Sequence, residues 1–364
     1  MPSISVMLKP ASGRCNLQCK YCFYHSLTQA RGIDDYGIMD ISTAKRVIDA
    51  SLNYAGSESV YFTFQGGEPL LAGKEFFRQF VDYVDKANKA GAKVFYALQT
   101  NSTLIDSEWI ELFKRNGFLI GLSLDGDEVG NKFRVDVNGN SVFDKIIQSA
   151  RALQNAGVDF NIVSVVTAHS AEHIERIYGY FKSQGFRYLQ FIPCLRPFGE
   201  DAPSELYMDS KQYAEYFAKL FELYLQDYKS GNYVSVRHLD NMVSLYLGGG
   251  AEQCGMIGHC TRQFVVEANG NVYPCDFYCL DEWLLGNIND SDFVALSRLP
   301  KAIDFLRNSL EIPNKCKSCK YYPLCRGGGC KRNRDSVDYC EAYKIFFEKY
   351  IKDFAVFVKR ENKR

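Results

Sequence analysis

The sequence has no excess of charge of either sign. Across 364 residues, Lys plus Arg and Asp plus Glu both number 43, so the formal net charge is zero. With no global field, nothing in the composition draws the chain to nucleic acid or to an anionic membrane. No stretch approaches the roughly 18 apolar residues of a membrane-spanning helix. The first ten residues lack the basic segment and long apolar run of a secretory signal. These absences predict a soluble, cytoplasmic protein with neither a nucleic-acid nor a membrane partner. In that compartment the 13 cysteines are not expected to form disulfides. Their odd number and clustered spacing favour metal binding instead.

What is present begins with a regular alternation. Short apolar runs recur at residues 4–8, 60–65, 94–99, 118–124, 160–166 and 188–192, rich in Val, Ile, Phe and Tyr as buried parallel strands are. Helical patterns lie between them at 42–54, 74–90, 107–115, 142–156 and 171–183. Asp106 and Ser170 are expected as N-caps, and Gly91, Gly117, Gly157 and Gly185 as left-handed residues after helices. Six β/α repeats without room for eight predict an open, partial barrel of the TIM type, with its chemistry at the C-terminal ends of the strands. After Phe198 the rhythm stops. Helices are expected at 211–229 and 240–247, and Asn269-Gly270 between alternating residues predicts a hairpin.

The unusual residues fall at the expected strand ends. Cys15-x3-Cys19-x2-Cys22 lies on a loop leaving the first strand, and residues 23–33 show no helical pattern. Three thiolates on one loop can hold three irons of a [4Fe–4S] cube and leave the fourth open to a small molecule. The plainer readings are three buried thiols, or zinc completed by His25. Gly66-Gly67-Glu68-Pro69 ends the second strand, where paired glycines allow a backbone to approach a ligand closely. Asn161 is a polar residue inside the fifth apolar run, facing the barrel interior or satisfying a sheet-edge hydrogen bond. Nine further cysteines follow residue 250: Cys254, Cys260, Cys275, Cys279, Cys316, Cys319, Cys325, Cys330 and Cys340. The hairpin is expected to bring Cys275 near Cys254 and Cys260. Taken alone, eight of these cysteines fit two zinc ribbons as well as two iron–sulfur sites.

The first cysteine set, with Tyr21 before its last member, resembles the signature of radical S-adenosylmethionine (SAM) enzymes. The resemblance implies that SAM chelates the open iron and that Gly66, Gly67 and Glu68 receive its amino group. It gives Ser123 and Arg134 to the methionine carboxylate and Tyr21 and Leu195 to the adenosine. Without the family, Arg134 reads equally well as a surface charge. The later cysteines resemble the SPASM extension, which holds two auxiliary [4Fe–4S] clusters. The family's crossing pattern implies Cys254, Cys260, Cys275 and Cys330 for one cluster, and Cys316, Cys319, Cys325 and Cys340 for the other. One departure is the four-residue spacing between Cys325 and Cys330, where three is common. Cys194 and Cys279 are left as ordinary core or loop residues. The implied division is a radical SAM partial (β/α)6 barrel at 1–198, a helical connector at 199–250, and a SPASM domain with a C-terminal helix at 251–364.

Together with Phe64-Gln-Gly-Gly-Glu-Pro69, Leu98-Gln-Thr-Asn101 and Tyr273-Pro-Cys-Asp-Phe-Tyr278, the pattern resembles anaerobic sulfatase-maturating enzymes over nearly the whole chain. Ser102 departs from the usual Gly. The resemblance implies oxidation of a Cys or Ser side chain in a nascent or unfolded sulfatase to Cα-formylglycine, within a Cys/Ser-x-Pro-x-Arg motif. Three [4Fe–4S] clusters, SAM and a low-potential donor such as flavodoxin or ferredoxin are implied with it. Reductive cleavage of SAM then gives a 5′-deoxyadenosyl radical that takes a Cβ hydrogen from the substrate. Asp276, beside Cys275, is the expected base for the substrate thiol or hydroxyl, with Phe277 and Tyr278 desolvating it; otherwise it is a loop acid or turn cap. Tyr24, Gln65 and Gln99 are expected to contact the substrate backbone. Other SPASM peptide maturases, which crosslink or epimerise residues, would share the cluster and SAM sites. The 14 residues before Cys15 are too few for a leader-binding domain, which favours an enzyme that reads an internal motif. A zinc-binding scaffold without catalysis is the remaining class.

Overall fold

The computed structural model describes residues 2–197, 205–336 and 338–361. In chain order its first elements are β1 (Ile4–Lys9), α1 (Phe23–Gln29), α2 (Ile41–Ala55), β2 (Ser59–Phe64), α3 (Lys74–Ala87), β3 (Lys93–Thr100), α4 (Ser107–Arg115) and β4 (Leu119–Ser123). Then come α5 (Phe143–Ala156), β5 (Phe160–Val166), α6 (Ala168–Glu172), α7 (Ile174–Ser183), β6 (Tyr188–Pro193), α8 (Ser210–Ser230), β7 (Ser235–Val236) and α9 (Arg237–Tyr246). The hairpin is β8 (Phe264–Glu267) and β9 (Asn271–Tyr273), followed by β10 (Gly286–Asn287).

Two compact units divide the chain. The first contains Met1–Ser123, Phe133–Asn161 and Arg262–Phe305. Its strands run in the order β10-β9-β8-β1-β2-β3-β4. β1 pairs in parallel with β2 on one side and with β8 on the other, and β9 returns antiparallel to β8. One face of these strands is sealed by helices. Val60, Phe62 and Phe64 are fully buried there, and Phe64 meets Phe77 and Phe80 of α3 at ring separations of 4.9 and 5.0 Å. Burying each such side chain contributes about 1.5–3 kcal/mol. Side chains alternate across a strand, so the other face carries a row set by the register. Glu267 stands beside Lys9 in the ladder, and Gln65 continues it by donating its N–H to Leu8 O at 3.0 Å.

The second unit contains Leu124–Lys132, Ile162–Thr261 and Leu306–Arg364. Here most of β5 pairs in parallel with β6, and β6 with the two-residue β7. Helix α8 packs Phe217 and Phe221 on Phe346, at ring separations of 4.5 and 5.2 Å, within a mainly aromatic core.

All six expected strands form, and β5 has the expected bounds. Asp106 caps α4 by accepting from Trp109 N–H, and the four helix-ending glycines all have positive φ. Several expectations need correction. Residues 23–29 form α1, because Tyr24 and Leu27 pack on Val265, Tyr273 and Cys279; tertiary contact supplies a helix whose sequence is too short to show one. Thr167, not Ser170, is the N-cap of α6, and Ser170 is its reciprocal partner in a capping box. The pattern at 171–183 is two helices, α6 and α7, meeting at His173. Helix α3 ends at Ala87, short of residue 90, and α9 begins at Arg237. The rhythm also continues past residue 198, into β7. The expected boundary at 198 itself lies outside the described residues.

Candidate active site

The loop after β1 is held from two sides, both within the first unit. Residues 18 and 20 donate their N–H groups to Val135 O and Phe133 O, at 2.8 and 3.0 Å. Gly67 and Glu68 donate theirs to Ser12 O and Arg14 O, at 2.9 and 2.7 Å. A Cβ at Gly67 would stand 1.9 Å from Arg14 O, so the glycine is required by the close approach of the cysteine loop itself. Glu68 is buried and takes no exposed position. It accepts from Leu70 N–H, Thr100 Oγ1 and Asn101 N–H at 3.0, 2.8 and 2.8 Å, tying the ends of β2 and β3 together. Burial pushes its pKa up to about 7 against the pull of those donors.

The donor set suits an iron–sulfur cluster on this loop. Cys15, Cys19 and Cys22 are free thiols. Polar hydrogens already point at two of them. Leu17 N–H and Asn101 Nδ2 lie 3.4 and 3.7 Å from Cys15 Sγ, and Arg134 Nη1 lies 3.9 Å from Cys19 Sγ. Hydrogen bonds to sulfur are a means by which proteins stabilise cluster thiolates. The guanidinium of Arg134 also sits 5.6 Å from the ring centroid of Tyr21. Gln99 Nε2 donates to Ser123 Oγ at 2.8 Å. Leu195 belongs to the second unit.

Asp276 is buried rather than solvated. Tyr24 Oη donates to its Oδ2 at 2.5 Å and Gln65 Nε2 to the same oxygen at 3.3 Å. Lys9 Nζ faces Oδ1 at 3.0 Å. Thus Tyr24 and Gln65, expected at the substrate backbone, have these groups engaged on Asp276. Burial pushes the Tyr24 phenol well above its usual pKa, and the Asp276 charge adds to the rise. Burial would lower the pKa of Lys9, but Asp276, Cys279 and Glu267 outweigh it and keep the ammonium charged. Sequence reasoning missed Lys9, Glu267 and Arg31. The available signal was the alternation that puts Lys9 on the same strand face as Gln65.

Of the later cysteines, Cys275 and Cys279 belong to the first unit, and the seven in the second unit gather in two groups. Cys260 and Cys330 are within electrostatic range of Cys254. Cys319 and Cys340 are within range of Cys316, as is Cys325 of Cys319. Gly327, Gly328 and Gly329 all have positive φ. A Cβ at Gly329 would stand 1.9 Å from Gly255 O. The lengthened glycine run therefore carries Cys330 against the turn bearing Cys254. Cys194 and Cys279 are buried, as expected of core residues. Among the described residues, no three or more His, Cys, Asp or Glu side chains meet around one point as ligands of a single metal ion do.

Comparison with known proteins gives the family. Residues 10–181 match the radical SAM superfamily model, and 254–320 match SPASM, an iron–sulfur cluster-binding domain. The chain is 43% identical over 358 residues to the cysteine-type anaerobic sulfatase-maturating enzyme of Clostridium perfringens (strain 13 / Type A), covering 96% of each. It is 41% identical over 362 residues to the enzyme of that name from Clostridium novyi (strain NT), again covering 96% of each. The solved structure of native anSMEcpe with bound AdoMet and Cp18Cys peptide superimposes with a TM-score of 0.93 at 40% identity, covering 99% of both chains. With the cysteine loop, the open α/β sheet and the SPASM match in agreement, the chain belongs to the anaerobic sulfatase-maturating enzymes of the radical SAM superfamily.

Proposed function

We propose that this enzyme converts a cysteine of an unfolded sulfatase, within a Cys-x-Pro-x-Arg-type motif, to Cα-formylglycine. Family membership makes it a radical SAM oxidoreductase whose cofactors are SAM and [4Fe–4S] clusters. The cysteine-type names of the relatives at 41–43% identity support a thiol substrate. We assign Cys15, Cys19 and Cys22 to the SAM-binding cluster, with Gly66, Gly67, Tyr21, Ser123, Arg134 and Leu195 lining the SAM site. Glu68 acts there by positioning the strand ends. Cys254, Cys260, Cys275 and Cys330 are assigned to one auxiliary cluster, and Cys316, Cys319, Cys325 and Cys340 to the other. An external low-potential donor and a cytoplasmic location belong to the same reading. Among the described residues no helix is long and apolar enough to cross a membrane.

Cys15, Cys19 and Cys22 would hold a cluster that, with SAM, would supply the oxidising radical for the substrate Cβ–H bond, and an auxiliary cluster would accept the second electron, leaving a thioaldehyde that water hydrolyses to the aldehyde and sulfide. This chain's own task is the proton on sulfur, and Asp276 is the residue assigned to take it. The observation that carries the assignment is the carboxylate's setting. Tyr24, Gln65 and Lys9 fix both of its oxygens at the C-terminal ends of the strands, in the same unit as the cysteine loop. Gln99 is assigned to the substrate backbone.

The test is anaerobic incubation with SAM, a reductant and matched Cys-x-Pro-x-Arg and Ser-x-Pro-x-Arg peptides, followed by mass spectrometry. Aldehyde from the Cys peptide, in excess over the Ser peptide, is expected. A crosslinked or epimerised product instead would assign the chain to another maturase activity.

A further inference from the structure

Behind Asp276 lies a line of alternating buried charges, of which the reaction as described uses only Lys9, at Asp276. Lys9 Nζ is 3.0 Å from Asp276 Oδ1 and 3.6 Å from Glu267 Oε1. Arg31 Nη1 donates to that same Glu267 oxygen at 2.6 Å. The other Glu267 oxygen accepts from Ser12 Oγ at 3.0 Å. Lys9, Ser12 and Glu267 are each 1% exposed. Taking charged groups out of water carries a desolvation penalty that their mutual attraction repays only in good geometry, so such a line is a poor device for stability alone.

Its two ends have different destinations. Ser12 stands three residues before Cys15, with φ at +50°, a strained value for a residue with a side chain. Its hydroxyl accepts from Tyr36 N–H and donates to Glu267, while its carbonyl accepts from Gly67 N–H. One arm of Glu267 thus fixes the turn that leads into the cysteine loop and the Gly66-Gly67 turn. The other arm reaches Asp276 through Lys9.

We propose that Glu267 is a positioning residue that holds the radical-generating loop and Asp276 in register. It makes hydrogen abstraction and proton removal two steps of one event at the substrate cysteine. The proposal rests on the assignment of Asp276 as base. Without Glu267 each half of the site survives, but their relative placement loosens. Misplacement by about 1 Å can cost on the order of 10² in rate, and that loss falls on the step that needs both halves.

The test is the ratio of 5′-deoxyadenosine to aldehyde, measured with a Cys-x-Pro-x-Arg peptide on the reconstituted full-length protein. In Glu267→Gln we expect the ratio to rise about tenfold or more, with aldehyde falling further than SAM cleavage. Lys9→Met, which cuts the Asp276 arm together with the Lys9 hydrogen bond to Cys279 Sγ, should also raise it. If Glu267→Gln does not fold, Glu267→Asp keeps the charge, shortens the reach, and should raise the ratio by a smaller factor. A purely structural Glu267 would lower both products in proportion to folded protein and leave the ratio unchanged, which would overturn the proposal. No aldehyde from the unaltered protein would overturn the functional reading and this proposal together. Aldehyde from it, with an unchanged ratio in the variants, would overturn the proposal alone.

Discussion

Gly329 and Gly255 pack backbone against backbone, so closely that a Cβ on Gly329 would stand 1.9 Å from the Gly255 carbonyl oxygen. Gly329 also has φ at +90°. These glycines adjoin Cys330 and Cys254, so their contact sets where two assigned cluster ligands stand. Gly329→Ala should displace Cys330 and cost one auxiliary cluster. Iron in anaerobically reconstituted protein should fall from about twelve to about eight per chain, with SAM cleavage retained. Full iron content in this variant would remove Cys330 from the ligand set.

The metal itself is tested by elemental analysis. Eleven cysteines in a three, four and four pattern require about twelve irons per chain. About four irons accompanied by two zincs would restore the zinc-ribbon reading of the later cysteines.

Changing Cys15, Cys19 and Cys22 together to Ala should abolish formation of 5′-deoxyadenosine and leave about eight irons in place. If SAM is still cleaved, the loop after β1 is not where the radical is generated.

Glu68 gives a pH prediction. Its pKa is raised from 4.5 to about 7 in the folded protein. Between those values the folded state holds a proton that the unfolded state has released, so stability falls as pH rises through that window. The contribution is on the order of 3 kcal/mol. Glu68→Gln removes it, at the cost of a carboxylate oxygen that accepts from Asn101 N–H. Denaturant unfolding at pH 5 and pH 8 should therefore show a steeper pH dependence in the natural protein than in the variant. Parallel curves would contradict it.

Much of this was legible in the sequence. The β/α alternation predicts all six strands, because each is a short apolar run bounded by turn residues. Tight spacing marks the cysteine sets directly. What sequence alone hides depends on contacts between distant segments. Nothing in the sequence alone marks Lys9 and Glu267 as a pair. They are buried because β8 lies parallel to the free edge of β1 and sets them side by side. The hairpin was predictable from Asn269-Gly270, but its partner strand was not. Helix α1 escaped for the same reason, since Tyr24 and Leu27 find their cover on that hairpin. The paired glycines suggest close approach to a ligand, and the packing of Gly67 on the carbonyl of Arg14 is a further requirement that only the folded chain reveals.

The central claim is a division of labour, in which SAM and its cluster supply the radical and Asp276 takes the substrate proton. Asp276→Asn tests it most directly, because it keeps the shape at Tyr24 and Gln65 and removes the base. With a Cβ-deuterated Cys-x-Pro-x-Arg peptide, deuterium should still pass into 5′-deoxyadenosine. Aldehyde should fall by on the order of 10²–10⁴, the usual cost of losing a general base. Near-normal aldehyde from the Asn variant would contradict the account.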